Sequence, residues 1–377
     1  MISAADRRPL RPAVTLRRPR AGAVVLGLCL ALLLAGCSRE GQRRELRGGT
    51  MGTTWSVVYA DPGAAAARPE TLQARIEAEL EAVNAAMSTY LPDSEISRFN
   101  ARAAAAQEPV SLRLGPAMAQ VLDRALAIGD ATGGAYDVTV GPLVELWGFG
   151  AGGGREVPPT DAEIAAARAR VGAGRLEWDA ATRRLRAPPG LRLDLSSIAK
   201  GYAVDRLVRV LGEAGVQRML VEIGGELRAQ GERPGGGPWR LAVESPRPAA
   251  QRFIGALAVE DAAVATSGDY RNYFEVDGER YSHLVDPRSG RPVSHDLVSV
   301  TVIHPQCMVA DAWATALIVL GREEALRLAQ QRQLAALLVA RDGEELALDY
   351  TPQFAGYLQR GADDPAAAGE NCCGLEH

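Results

Sequence analysis

The chain has 377 residues, 47% hydrophobic and 23% charged, which is enough for about two domains or one large domain with two lobes. Its net charge of −4 is uneven: the first 36 residues carry six arginines against Asp6, leaving −9 on the remainder. No basic stripe is left to follow a phosphate backbone, which argues against a nucleic-acid binder.

The amino terminus reads as a secretory signal over residues 1–36. An arginine-rich stretch ends at Arg20, and an apolar run covers residues 21–35. That run suits a signal peptide and is short for a spanning helix, which needs about 20 residues. Leu34-Ala35-Gly36-Cys37 resembles a bacterial lipobox, whose cysteine is acylated after cleavage. The expectation is an exported protein, lipid-anchored at Cys37 to the periplasmic face of a bacterial membrane. Buried acyl chains contribute about 0.8 kcal/mol per CH₂ to such an anchor. Cys307, Cys372 and Cys373 show no CxxC or Cys/His spacing of a zinc site.

Residues 37–49 read as a polar linker, and 50–350 as the folded body. A strand is expected over 53–60 and helices over 69–88 and 116–131. Residues 150–159 form a Gly/Pro-rich loop, and Thr160-Asp161-Ala162-Glu163 is a capping-box pattern that opens another helix. Short strands follow at 176–178, 184–187 and 191–195, then a helix over 197–212. Further strands fit 218–223, 239–244, 254–259, 273–276 and 298–303. Helices fit 308–320 and 322–331, and 334–341 with 346–350 makes a closing hairpin. Residues 351–377 read as a tail, disordered at its end. Helices and strands mix without βαβ alternation, which predicts an α+β fold.

The glycine runs at 152–154 and 235–237 are loops: neither fits G-x-G-x-x-G after a strand, and no Walker A pattern exists. Chemistry concentrates elsewhere. In Asp194-Leu195-Ser196-Ser197-Ile198-Ala199-Lys200 a strand runs into a helix start, where backbone N–H groups favour phosphate. Lys200, the sole lysine of the chain, lies one turn on. These residues alone fit equally a cap with Ser197 as N-cap plus a surface ion pair. Asp311 and Thr315, four apart, share one helix face and offer hard oxygens suited to Mg²⁺, or a plain buried Asp–Thr hydrogen bond. His283 can titrate near neutrality, although a lone histidine is commonly structural.

Five segments stand out in order: 50–55 (TMGTTW), 87–100 (MSTYLPDSEISRFN), 132–143 (TGGAYDVTVGPL), 193–205 (LDLSSIAKGYAVD), and a split last one at 266–274, 281–290 and 310–316. Together they resemble the ApbE family, the FAD:protein FMN transferases, from about residue 47 to 350. The resemblance implies an α+β fold of two lobes with mostly antiparallel strands and the FAD site in the cleft between them. It implies FAD as substrate, bound by Met51, Tyr90, Ala135, Tyr136, Asp137, Asp194, Lys200, His283 and Leu284. It also implies Mg²⁺ held by Asp311, Thr315 and the Ser197 carbonyl; Ala314 stands where some relatives carry a second carboxylate. The implied reaction moves FMN onto a threonine hydroxyl of an acceptor protein, such as a membrane electron-transfer subunit, and releases AMP. Lys200 would add charge, and His283, or less well Asp286, would accept the threonine proton. A magnesium-dependent FAD diphosphatase and a non-catalytic FAD-binding lipoprotein are the alternatives.

Overall fold

In the computed structural model, residues 41–62, 68–155, 157–246, 253–270, 272–343 and 345–359 are described. The signal segment, Cys37, Cys372 and Cys373 lie outside them.

The first element is a hairpin of β1 (Arg43–Thr50) and β2 (Thr53–Ala60). Met51 and Gly52 form its two-residue turn with φ of +50° and +71°. That is the turn that matches strand twist, and it places a methionine side chain at a backbone angle usually left to glycine or asparagine. β1 replaces the second half of the expected linker. Its Arg- and Glu-rich sequence hid it, because an edge strand paired on one side needs few apolar residues.

Next come α1 (Pro69–Met87), α2 (Glu95–Ala105), β3 (Val110–Arg113) and α3 (Pro116–Ala131). α1 buries Leu72, Ile76, Leu80, Val83 and Met87 at helical spacing. α4 (Gly141–Leu146) and α5 (Asp161–Arg168) follow, α5 opened by the Thr160–Glu163 capping box. β4 (Glu177–Asp179) and β5 (Arg184–Ala187) complete a small sheet with β3. α6 (Ser196–Glu213) leads to β6 (Met219–Ile223) and β7 (Glu226–Gln230), then to the hairpin of β8 (Trp239–Glu244) and β9 (Phe253–Val259). β10 (Ala263–Gly268) precedes two small hairpins, β11 (Tyr273–Val276) with β12 (Glu279–Ser282) and β13 (Val285–Asp286) with β14 (Arg291–Pro292). β15 (Leu297–His304), α7 (Cys307–Leu320), α8 (Arg322–Gln331), β16 (Ala335–Asp342), β17 (Glu345–Tyr350) and α9 (Pro352–Ala355) close the chain.

Eight strands form one sheet in the order β1-β2-β6-β7-β10-β15-β16-β17. Every neighbouring pair in it is antiparallel, as the α+β reading requires. Side-chain alternation divides its two faces. Val57, Ala265, Val302 and Leu338 join a core with α1, α3, α6 and α7, while Val58, Val264, Ile303 and Leu337 join another with β8, β9 and α9.

One expectation fails locally. Residues 191–195 are extended but belong to no ladder: the Asn100 amide donates to the Leu193 carbonyl and accepts from the Leu193 N–H, both at 2.8 Å, in place of a neighbouring strand. The 87–100 segment turns at residues 88–94 and then becomes helical, with Ser94 capping α2 by accepting from the Ser97 N–H.

Candidate active site

α6 and α7 cross where neither carries bulk. A Cβ on Gly201 would lie 2.5 Å from the Cys307 carbonyl oxygen and 2.8 Å from the Asp311 Cβ. This close approach lets the Gly201 N–H donate to Asp311 Oδ2 at 2.9 Å. In a regular helix that N–H serves the carbonyl four residues back, which here is Ser197. Asp311 and the Ser197 carbonyl therefore converge on one backbone donor. Asp205 of α6 secures the crossing, accepting from the Cys307 and Met308 N–H groups, both at 3.0 Å, and from Arg228 at 2.6 Å.

α7 is buried at every position but Thr315. Thr315 is half-buried and its hydroxyl lies 3.1 Å from that of Ser267 on β10. Asp311, one turn earlier, is 4% exposed. Burial pushes its carboxyl well above the usual range, the Glu226 charge adds to this, and Lys200 and the Gly201 N–H oppose it. Glu226 is 3% exposed and also raised by burial, with Lys200 pulling it down. Lys200 Nζ donates to Glu226 Oε2 at 2.5 Å. Burial alone would lower the Lys200 ammonium, but the Glu226 and Asp311 charges more than offset that and hold it above its usual value. Lys200 is thus bonded to one buried carboxylate, Glu226, and acts through its charge on a second, Asp311.

Ser197 does not cap its helix. Leu195 stands at the N-cap, and the Ser197 hydroxyl donates instead to the Tyr136 oxygen at 3.0 Å. Desolvation raises the Tyr136 phenol. Asp194 accepts from the N–H (2.8 Å) and hydroxyl of Ser196, which shapes the turn into α6. Asp137 folds its own loop: one oxygen accepts from the Thr139 N–H (2.7 Å) and hydroxyl (2.6 Å), the other from the Ala173 N–H (2.8 Å). Ala135 and Tyr136 are buried beside it.

His283 sits at the end of β12, half-buried, with Nδ1 2.9 Å from the Asn272 carbonyl oxygen. A carbonyl can only accept, so Nδ1 carries the proton and Nε2 keeps its lone pair. Burial, joined by the Lys200 charge, lowers the imidazole, while the Asn272 bond and Asp269 oppose this. Rings stack behind it in a row: Phe149 lies 6.3 Å from the imidazole, Phe274 5.6 Å from Phe149, Tyr281 5.1 Å from Phe274 and Trp147 5.5 Å from Tyr281. Leu284 is buried. Asp286 is tied up by Arg288, which pairs with it at 3.0 Å.

Lys200 is paired with Glu226, Asp311 with the Gly201 N–H and Ser197 with Tyr136, and the Lys200 charge helps to lower the His283 imidazole. Met51 and Tyr90 make no hydrogen bond to this group. Met51 packs partly against the main core from the β1–β2 turn. Tyr90 is 68% exposed in the turn after α1, an open aromatic face. Sequence reasoning missed Glu226, Phe149 and Trp147, and gave no role to Asn272, Phe274 and Tyr281, which lie inside its last segment. The Gly224-Gly225-Glu226 turn, with an acid at the start of an apolar strand, was the available signal for the first.

An antiparallel sheet backed by helices carries two buried carboxylates and a lysine at one helix crossing and a histidine with a lowered pKa on a hairpin, the groups of an enzyme site that holds a cation or moves a proton. Residues 51–338 match the ApbE family model. The FAD:protein FMN transferase of Vibrio cholerae is 42% identical over 337 residues, which cover 89% of this chain and 99% of that protein. That of Haemophilus influenzae is 41% identical, covering 84% and 92%. The solved flavin transferase ApbE from Vibrio cholerae superposes with a TM-score of 0.77 at 40% identity, over 84% of this chain and 99% of the other. The apo flavinyl transferase ApbE of Pseudomonas stutzeri does so with the same score and identity, over 85% and 98%. This chain belongs to the ApbE family.

Proposed function

We propose that this protein is an FAD:protein FMN transferase: it moves FMN from FAD to a threonine hydroxyl of an acceptor protein and releases AMP. The observation that carries the reading is the oxygen cluster at the α6–α7 crossing. Two buried carboxylates stand there, Glu226 paired with Lys200 and Asp311 with the Gly201 N–H, beside the one open position of α7. The cluster holds two acids against one base, a balance that suits a divalent cation. Asp311, the Thr315 hydroxyl and the Ser197 carbonyl are hard oxygen donors that fit Mg²⁺, with Asp311 as the one carboxylate among them. Bound there, Mg²⁺ would neutralise charge on the diphosphate and on the departing AMP.

The residues of the chain supply the rest. Burial keeps the His283 imidazole neutral, and its Asn272 bond leaves Nε2 free to take the threonine proton. The threonine oxygen bonds to the FMN-side phosphorus while the bond from that phosphorus to the bridging oxygen breaks, and AMP departs with the electron pair. Lys200 and the α6 amino terminus offer positive potential to the phosphates. Tyr136 fixes Ser197, and Asp137 and Asp194 hold the loops that carry them. Met51 and the open Tyr90 ring are the apolar contacts offered to the isoalloxazine.

The lipobox at Cys37 supports the further reading that the enzyme is exported and lipid-anchored on the periplasmic face. Its acceptors there would be membrane electron-transfer subunits. Incubation with FAD, MgCl₂ and a co-expressed candidate acceptor, followed by mass spectrometry, tests the reaction. One FMN added to a threonine is the expected result. Release of free FMN and AMP alone would make the protein a diphosphatase, and intact FAD would refute both.

A further inference from the structure

We infer that Glu226 is a positioning residue of this site: it holds the Lys200 ammonium off Asp311, so that the Asp311 carboxylate stays open to a divalent cation. The inference rests on the metal reading above and adds a residue to it. Lys200 is followed directly by Gly201, whose N–H binds Asp311, and the Asp311 charge acts on Lys200. Yet the one hydrogen bond of the ammonium goes to Glu226, on a different element, at 2.5 Å. Glu226 begins β7 straight after the turn in which Gly224 adopts φ of +59° and Gly225 of +104°. That turn sets its carboxylate in the interior, facing α6.

The charge count explains why the arrangement matters. With both carboxyls ionised, Glu226, Asp311 and Lys200 together carry one negative charge in a low-dielectric setting, which a bound divalent cation can answer. With Glu226 neutral, Lys200 has one buried carboxylate left to pair with. Its flexible four-carbon stem and three donors allow it to turn there. Asp311 is then occupied and the cluster is electrically balanced, and both effects oppose cation binding. Removing Lys200 as well returns the net negative charge and frees Asp311. A residue that served packing alone would not behave in this way, because the double replacement removes more contacts than the single one.

Mn²⁺ is the probe, titrated into the full-length flavin-free protein in detergent, with free Mn²⁺ read by electron paramagnetic resonance. Glu226→Gln should weaken Mn²⁺ binding about tenfold or more, while the double variant Glu226→Gln, Lys200→Gln returns to within about threefold of the wild type. Lys200→Gln alone should bind Mn²⁺ more tightly than the wild type, which keeps the test open should Glu226→Gln fold poorly. Wild-type affinity in Glu226→Gln, a double variant as weak as the single, or unchanged binding in Lys200→Gln would each overturn the role of Glu226. The metal reading stands or falls separately on Asp311→Ala: undiminished Mn²⁺ binding there removes the site itself, and the role of Glu226 with it.

Discussion

Replacing Gly201 by alanine tests the helix crossing on which the site depends. The new methyl carbon would stand 2.5 Å from the Cys307 carbonyl oxygen, 2.7 Å from its carbon and 2.8 Å from the Asp311 Cβ. Two of these are backbone atoms, so α6 and α7 must separate. Overpacking of this kind costs about 1–3 kcal/mol, and the better helix propensity of alanine returns about 1. With about 300 folded residues, the unfolding entropy is roughly 0.6 kcal/mol/K, so a net cost of up to about 2 kcal/mol should lower Tm by up to about 3 °C. Transfer should suffer far more. The Gly201 N–H to Asp311 contact is stretched, and a misplacement of about 1 Å at a reacting site can cost about 100-fold. Gly212, in the same helix, has nothing within 4 Å of its would-be Cβ. Gly212→Ala should therefore stabilise by about 0.4–1 kcal/mol and leave transfer unchanged. Calorimetry and a fluorescent flavinylation assay would follow both variants. If Gly201→Ala melted at or above the wild type and kept its transfer rate, the account of the crossing would be wrong.

Asp311→Ala should abolish metal-stimulated flavinylation with the fold retained, as read by circular dichroism; unchanged turnover would remove Asp311 from the chemistry. His283→Ala should keep FAD affinity and lose transfer. Because the imidazole pKa is lowered, the wild-type rate should stay flat through neutrality and drop only below the ordinary histidine range, a drop the variant should lack. The same depression means that the unfolded chain binds the proton more readily, so stability should also fall as pH drops through that range. Asp205→Ala removes the acceptor for the first two N–H groups of α7 and should cost about 1–2 kcal/mol in urea unfolding. Cys37→Ala should move the protein from the membrane to the soluble fraction; retention at the membrane would refute the lipid anchor.

The sequence disclosed what depends on periodicity and local chemistry. Helices α1 and α3 follow their apolar spacing, the Thr160–Glu163 box opens α5 as expected, and the closing hairpin of β16 and β17 pairs as read. Elements whose stability comes from partners were hidden. β1 is polar because it needs only β2, and the stretch around Leu193 looks like a strand because Asn100, far off in sequence, satisfies its backbone. The site divides along the same line. Asp311, Thr315, Lys200 and His283 stand in recognisable segments. Glu226 stands in none and acts through a partner that only folding brings near, Lys200 at 2.5 Å; Asn272 stands in one, but its bond to the His283 ring at 2.9 Å appears only in the fold. Ser197 looked like a helix cap because serine before a helix commonly is one, whereas the Tyr136 hydroxyl claims it.

The early start of β1 bears on how this enzyme would meet its acceptors. With Cys37 acylated as proposed, β1 starts at Arg43, six positions later. Six residues span at most about 20–22 Å even when drawn straight. So anchored, the first strand would stay within that distance of the acylated residue. The enzyme would work as a bench fixed to the bilayer, on threonines presented within a protein's width of the lipid surface.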